Sequence, residues 1–126
     1  MRELVGRYLA VGIAGSLGAI ARVIVAQWFG KLNWRFPIGT LVINISGSLF
    51  LGWFLTHVDE RGISPTARLA IGAGFVGAYT TFSTYMYESN QLASKGAEVE
   101  ALVNVIGSVI LGILAVRVGI YLARWV

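Results

Sequence analysis

Long apolar segments alternate along the chain with short connections that carry most of its charge. Four apolar segments stand out, at about 5–29, 36–56, 67–88 and 101–123. A hydrocarbon core roughly 30 Å thick needs about 20 helical residues, so each segment is long enough to cross a membrane. Pro37 and Pro65 lie at segment starts, and Ser64-Pro65-Thr66 is typical of a helix start. The pattern therefore predicts four membrane-spanning helices.

The remaining residues form only short connections, which predicts a single transmembrane domain over 1–126. No segment shows the period-two alternation of a strand, so we expect an all-α protein. We expect His57 and the neighbouring Asp59-Glu60-Arg61 to lie in a solvated loop. A cleaved signal peptide is the alternative for the first segment. The apolar continuation over 23–29 favours a retained helix instead.

Composition supports a membrane protein and excludes several other classes. Hydrophobic residues make up 56% and charged residues 13%, against about 45–50% and 25% in soluble domains. The net charge is +4, but the basic residues are dispersed and form no nucleic-acid-binding stripe. With no cysteine and one histidine, the chain excludes disulfides, thiolate metal sites and histidine clusters. It also lacks a catalytic triad and a phosphate-binding loop, so we expect no enzyme.

The basic residues give little instruction about orientation in the membrane. Four spans divide the ten Lys and Arg residues six to four, with Arg2, Arg7, Arg61, Arg68, Arg117 and Arg124 on one side and Arg22, Lys31, Arg35 and Lys95 on the other. This bias is weak. Two oppositely inserted copies could then pair about an axis in the membrane plane. A single orientation remains the alternative.

Small residues recur at helical spacings inside the predicted spans. They include Gly12 with Ser16, Gly47 with Gly52, and the series Gly72, Gly74 and Gly77. Small side chains let helix backbones approach closely in lipid, where apolar burial does not drive association. For most of these glycines we expect tight helix packing.

Polar residues inside the spans must face protein or water, because an unsatisfied polar group in hydrocarbon costs several kcal/mol. Asn44 with Ser48, and Asn104 with Ser108, each place an amide and a hydroxyl on one helix face. These pairs serve either as hydrogen bonds between helices or as donors along a pore. Arg22 and Glu88 lie toward span ends, where they line water-filled vestibules or extend toward the interface.

The third span combines three glycines with a run of hydroxyls. After Gly77 come Thr80, Thr81, Ser83 and Thr84, which cannot all share one helical stripe. Glycines permit unusual backbone angles and hydroxyls can bond freed carbonyls, so we expect a helix break near mid-membrane. Phe82 and Tyr85, three residues apart, share a face and either pack or line a path with their rings.

No acidic residue lies in the middle of any span, whereas hydroxyls, amides and aromatic rings are present. Such neutral donors and positive ring edges suit a small anion better than a cation. The main alternative, a small dual-topology exporter of cationic drugs, requires a carboxylate in the first span, and 9–21 contains none. An accessory subunit without transport activity is a third possibility, but such a role does not explain the hydrogen-bond donors inside the spans.

Each span carries a motif: Gly15-x-x-Gly18-x-x-x-Arg22, Gly39-Thr40-x-x-x-Asn44-x-x-Gly47, Gly74-x-x-Gly77-x-x-Thr80-Thr81-Phe82-Ser83-Thr84-Tyr85-x-x-Glu88 and Asn104-x-x-x-Ser108. Together they resemble the Fluc (CrcB) family of fluoride channels over nearly the whole chain. The resemblance implies a multi-pass protein of the cell inner membrane that exports fluoride passively and gives fluoride resistance. It also implies an antiparallel dual-topology homodimer, although some members of the family pair two homologous subunits.

The resemblance further implies roles for individual residues. Fluoride would pass along Asn44, Phe82, Ser83, Thr84, Tyr85 and Ser108. Arg22 and Glu88 match residues near the vestibules. The main-chain carbonyls of Gly77 and Thr80 match those that hold a structural Na⁺ at the dimer centre. The second aromatic residue is commonly phenylalanine in the family, so the Tyr85 hydroxyl is an addition whose effect the sequence leaves open.

Overall fold

The structure, a computed structural model, describes residues 1–125. Val126, the last residue of the predicted domain 1–126, lies outside the described residues. Every regular element in the described part is helical, as expected for an all-α protein. In chain order these elements are α1 (Arg2–Gly30), α2 (Ile38–Arg61), α3 (Pro65–Arg68), a π-helical segment (Leu69–Val76), α4 (Gly77–Tyr79), α5 (Phe82–Ser94) and α6 (Glu98–Ala123).

Three helices, α1, α2 and α6, are long and apolar enough to cross a membrane, by length and composition alone. They coincide with the first, second and fourth predicted spans. The third predicted span corresponds to α3, the π-helical segment, α4 and α5 in succession. The wider turns of the π-helical segment coincide with the glycine-rich sequence. At the end of the segment the Gly77 N–H donates to the carbonyls of Gly72 and Gly74.

The prediction of a loop over 57–61 is wrong, because α2 continues through Arg61. An apolar segment ends where the hydrocarbon ends, but a helix continues until its backbone is capped. Gly62 supplies that cap with φ 72°, a left-handed conformation that favours glycine, and its N–H donates to the Val58 carbonyl at 2.9 Å. The predicted helix start is confirmed: Pro65 is the first residue of α3, and the Ser64 hydroxyl accepts the Ala67 N–H at 3.2 Å.

Glycines bring α2 and α6 into close contact. The backbone of Gly119 lies against the Leu49 carbonyl and the Trp53 N–H, and Gly52 lies against the Val116 carbonyl. A Cβ atom at either glycine would overlap these backbone groups. The prediction of tight packing at Gly52 is therefore confirmed.

The π-helical segment packs on α1 in the same way. Gly18 lies against the Phe75 carbonyl, and a Cβ at Gly74 would come within 2.8 Å of the Val11 carbonyl oxygen. Gly12, which we expected to pack against a neighbouring helix, does not do so within this chain, because a Cβ there would meet no atom within 4 Å. Packing of the small residues is thus confined to particular positions on α1.

Large apolar side chains cover the outer faces of α1 and α6. They include Leu9, Ile13, Leu17 and Ile24 on α1, and Val103, Ile106, Ile110, Ile113 and Leu114 on α6. In a water-soluble protein such faces would be covered. In a membrane they contact lipid or another chain. The interior is correspondingly small, and its most buried large side chains are Ile43 and Asn104.

Candidate functional site

The helical backbone is interrupted between α4 and α5. Thr80 (ψ 159°) and Thr81 (ψ 116°) are both extended, and α5 begins at the next residue. Threonine side chains support each end of this interruption. The Thr80 hydroxyl donates to the Val76 carbonyl at 3.0 Å, and the Thr81 hydroxyl caps α5 by accepting the Thr84 N–H at 3.3 Å.

Asn44 of α2 holds the interruption from the side. Its Nδ2 donates to the Thr81 carbonyl at 3.1 Å, and its Oδ1 accepts the Thr81 N–H at 2.8 Å. Gly47, one turn further along α2, leaves room for the Thr80 methyl group, which a Cβ there would displace. The asparagine side chain thus replaces the helical partner that the Thr81 N–H has lost, and it adds a second bond to the Thr81 carbonyl.

These hydrogen bonds release two main-chain carbonyls from helical bonding. In a continuous helix the Thr81 N–H would bond the Gly77 carbonyl, and the Thr84 N–H would bond the Thr80 carbonyl. Here the first N–H donates to Asn44 and the second to the Thr81 hydroxyl. Gly77 and Thr80, the two residues predicted to offer carbonyls to a cation, are therefore two of the four residues over 77–80 whose carbonyls lack their helical donors.

A pocket of about 290 Å³ opens beside the interruption, between α2, α5 and α6. Its lining includes five of the predicted functional residues, Asn44, Thr80, Phe82, Tyr85 and Ser108. Ser48, Thr81 and Gly112 also line it and are not among the predicted pore residues. The spacing of Ser48 from Asn44 was a signal for the first of these. The main chain of Thr81 is bonded to Asn44, which no side-chain pattern reveals.

The structure separates the four hydroxyls of the third span into two sets. Thr80 and Thr81 line the pocket, whereas Ser83 and Thr84 are exposed on the surface of the chain, outside the pocket lining. The Thr84 hydroxyl accepts from the Thr81 hydroxyl at 3.0 Å. The expectation that these hydroxyls cannot share one stripe is confirmed.

The two predicted pore aromatics have different surroundings. Their ring centroids are 5.9 Å apart with an interplanar angle of 65°, so the rings meet edge to face. Phe82 is 74% exposed and projects from the chain, whereas Tyr85 is 6% exposed. The Tyr85 hydroxyl donates to the Val105 carbonyl of α6 at 2.6 Å. One ring therefore belongs to the interior of this chain and the other to its surface.

A second hydrogen bond joins α5 and α6 one turn further along. Asn104, which is 2% exposed, donates from Nδ2 to the Ser89 hydroxyl at 2.9 Å. Ser89 in turn donates to the Tyr85 carbonyl at 2.8 Å. We call Tyr85, Ser89 and Asn104 the α5–α6 seam. The Ser108 hydroxyl donates to the Asn104 Oδ1 at 3.4 Å, a long distance for a hydrogen bond, so its bond to the seam is weak.

Beyond the seam, a basin of about 450 Å³ lies at the carboxyl end of α5. Glu88 lines it with the cationic side chains of Arg35 and Lys95. Thr40 and Glu88 together line a neighbouring cavity, and the Arg35 guanidinium lies 3.7 Å from the Glu100 carboxylate. The predicted vestibule pair is not brought together here, since Arg22 lies half-exposed on α1, outside this lining.

The electrostatics of the pocket favour an anion over a cation. The amino end of α5 borders it at Thr81 and Phe82, and a helix amino end carries free N–H groups and a partial positive charge. The lining contains no acidic side chain. Within residues 1–125, no group of three or more His, Cys, Asp or Glu side chains could hold a metal ion.

Comparison with known proteins matches residues 9–120 to the family described as CrcB-like protein, Camphor Resistance (CrcB). Similar curated proteins are named fluoride-specific ion channel FluC. The protein from Acidobacterium capsulatum is 46% identical, covering 90% of this chain and 92% of its own. That from Synechococcus sp. is 43% identical, with 91% and 90% covered. That from Chlorobium chlorochromatii is 38% identical, with 99% and 98% covered.

The family match covers most of the chain, and the relatives align over nearly their full lengths. With its three long apolar helices, the chain is a multi-pass membrane protein. It belongs to the CrcB family, which includes the FluC fluoride channels that the sequence motifs resemble.

Proposed function

We propose that this protein is a fluoride-selective passive ion channel of the cell inner membrane that exports fluoride from the cytoplasm and gives fluoride resistance. The observation that carries the proposal is the pocket beside the α4–α5 interruption, whose polar lining consists of neutral donors. The relatives are named as fluoride-specific channels, which supports the same substrate. A channel of this kind transports its ion and catalyses no reaction.

Fluoride is small and holds water strongly, so a selective path must replace that water with donors of similar strength. Asn44 uses its Oδ1 and one Nδ2 hydrogen on the main chain of Thr81, which leaves its second amide hydrogen for the pocket. The Ser108 hydroxyl, only weakly bonded to Asn104, is a second available donor. The edges of the Phe82 and Tyr85 rings carry partial positive charge and supply further favourable contacts.

The exposed residues around the interruption support a dimer. Phe82, Ser83 and Thr84 lie on the surface of the single chain, although hydroxyls are costly in hydrocarbon. A second copy that covers this surface would remove the cost and add its own Phe82 ring to the path. The weak six-to-four charge bias supports opposite orientations of the two copies. We therefore propose an antiparallel, dual-topology homodimer with the interruption near mid-membrane.

A structural Na⁺ fits the released carbonyls at the interruption. Sodium is a hard cation that prefers oxygen ligands, and unwound main-chain carbonyls are its usual ligands in broken membrane helices. Gly77 and Thr80 of each copy would provide four such oxygens if the two interruptions met at the dimer centre. The ion would supply positive charge and hold the two copies together, and it would not be transported.

Passive flow is sufficient for export. Hydrogen fluoride that enters from an acidic medium dissociates in the cytoplasm, and the anion then leaves down its gradient. The alternative, an exporter of cationic drugs, requires an acidic side chain within a span to exchange a proton. Glu3, the acidic residue of α1, lies in its first turn and pairs with Arg7 at 3.1 Å. The family also supports a fluoride channel and gives no support to a cation exporter.

The test is anion efflux from liposomes containing the purified protein, measured with fluoride and then chloride under the same gradient. We expect rapid fluoride loss and negligible chloride loss. Asn44→Ala removes a donor and releases Thr81, so fluoride flux should fall at least about tenfold, because a hydrogen bond to a charged group contributes about 1.5–3 kcal/mol.

Asn90→Ala is the matched control, since Asn90 is an exposed asparagine of α5 outside the pocket lining. Its flux should equal that of the unmodified protein. Equal fluoride and chloride loss from the unmodified protein would contradict a selective channel. Unchanged flux in Asn44→Ala would show that this pocket is not the path.

A further inference from the structure

The Tyr85 hydroxyl has a definite partner in the structure. It donates to the Val105 carbonyl oxygen at 2.6 Å, and the whole residue is 6% exposed. A phenol has one proton. Because that proton is bonded to a carbonyl, it is not available to an anion in the pocket. The remaining lone pairs of the hydroxyl oxygen would repel fluoride.

The hydrogen bond also restrains the ring to which the hydroxyl belongs. A phenylalanine ring in this position would be held by packing alone, whereas the Tyr85 ring is fixed at its base by α5 and at its tip by α6. Its contact with Phe82, edge to face at 5.9 Å, depends on that orientation. The hydroxyl thus defines which part of the ring the pocket meets.

The bond lies where it can set the width of the pocket. Tyr85 lines the pocket from α5, and Ser108, three residues after Val105, lines it from α6. A bond between the Tyr85 side chain and the main chain at Val105 therefore fixes the separation of these two walls. The Asn104–Ser89 bond restrains the same pair of helices one turn further along.

We propose that Tyr85 is a positioning residue that sets the preference for fluoride over chloride, through its hydrogen bond to α6 and without donating to the anion. The proposal rests on the proposed function. A narrow path with fixed walls excludes the larger chloride, whereas a path that can widen admits it. Loss of the hydroxyl should therefore increase chloride passage more than it changes fluoride passage.

The test compares Tyr85→Phe with the unmodified protein in the same liposomes, with chloride and fluoride efflux measured in parallel. The substitution keeps the ring and removes only the hydroxyl. The chloride-to-fluoride flux ratio should rise about tenfold, which corresponds to about 1.4 kcal/mol, the scale of one hydrogen bond.

Tyr8→Phe is the matched control, because Tyr8 is an exposed tyrosine of α1 with no hydrogen bond in the described part of the chain. It should leave both fluxes unchanged. Tyr85→Met removes ring and hydroxyl together, and should lower fluoride flux as well as selectivity. This second variant separates the contribution of the ring from that of the bond.

Two results would overturn the proposal. The first is a large fall in fluoride flux in Tyr85→Phe without a rise in chloride flux, which would make the hydroxyl a direct donor to fluoride. Identical fluxes and ratio in Tyr85→Phe and the unmodified protein would show that the bond has no role in selectivity. Failure of the proposed function is distinguishable from both, since the unmodified protein would then pass no fluoride.

Discussion

Helix α6 packs against α2 and against α5 by different means. Toward α2, Gly119 and Gly52 bring the two backbones together without any polar side chain. Toward α5, the seam of Tyr85, Ser89 and Asn104 joins the helices by buried hydrogen bonds. The glycine contact fixes how close two backbones lie. The hydrogen bonds fix how side chains are turned, because their geometry is directional.

The pocket lies where these two interfaces of α6 diverge. Ser48 and Gly112 border it on the α2 side, and Tyr85 borders it on the α5 side. Among residues 1–125, the glycine interface leaves the Ser48 hydroxyl without a hydrogen bond and the Ser108 hydroxyl with only a long one to Asn104, whereas the seam uses nearly all of its polar groups. The spacing of α2 and α6 and the orientation of the pocket rings are therefore determined by separate contacts, and each can be disrupted alone.

The largest effect should come from disrupting the glycine interface. In Gly119→Ala the added methyl would overlap the Leu49 carbonyl and the Trp53 N–H, which are backbone groups that cannot rotate away. The helices must separate, and we expect a loss of about 3 kcal/mol in the free energy of unfolding, the upper range for overpacking. Thermal unfolding in detergent measures the change.

Gly107→Ala provides the control for Gly119→Ala on the same helix, because a Cβ at Gly107 meets no atom within 4 Å. Its unfolding temperature should equal or exceed that of the unmodified protein. If both alanine variants unfolded at the same temperature, α2 and α6 would not be in the close contact described here.

Disrupting the seam should have a smaller effect on stability. Asn104→Ala removes the donor to Ser89 and leaves a small cavity at a side chain that is 2% exposed. We expect a loss of about 2 kcal/mol, within the range for a buried polar group deprived of its partner. Unfolding in detergent checks this, with Asn90→Ala, an exposed asparagine, as the control. Equal stability of the two variants would mean that the seam contributes nothing.

Much of the fold could be predicted from the sequence, because its signals are local. The three long apolar helices α1, α2 and α6, the start of α3 at Pro65 and the close packing of Gly52 all follow from residue types and spacing. The extent of α2 beyond His57 could not be predicted from hydropathy, which marks the membrane boundary and not the helix end. The left-handed cap at Gly62 decides that end.

The site was only partly predictable, because its contacts join distant parts of the chain. The spacing of Phe82 and Tyr85 predicts a shared face, and their rings do meet. It does not predict that one is exposed and the other buried. Residues three apart on a helix differ by about 60° in direction, which is enough to place Tyr85 against α6 and Phe82 outside. Likewise, nothing local indicates that Asn44 bonds the main chain of Thr81.

The smallest expected effect concerns a glycine that takes no part in either interface. Gly12 of α1 is exposed, and a Cβ there meets no atom within 4 Å. Glycine within a helix costs about 0.5–1 kcal/mol relative to alanine, so Gly12→Ala should raise the free energy of unfolding of the monomer by about that amount. Gly18→Ala on the same helix should lower it, because Gly18 lies against the Phe75 carbonyl. If Gly12→Ala instead destabilised the protein in lipid but not in detergent, a second chain would be packing on this face, and the glycine would serve an interface outside the single chain.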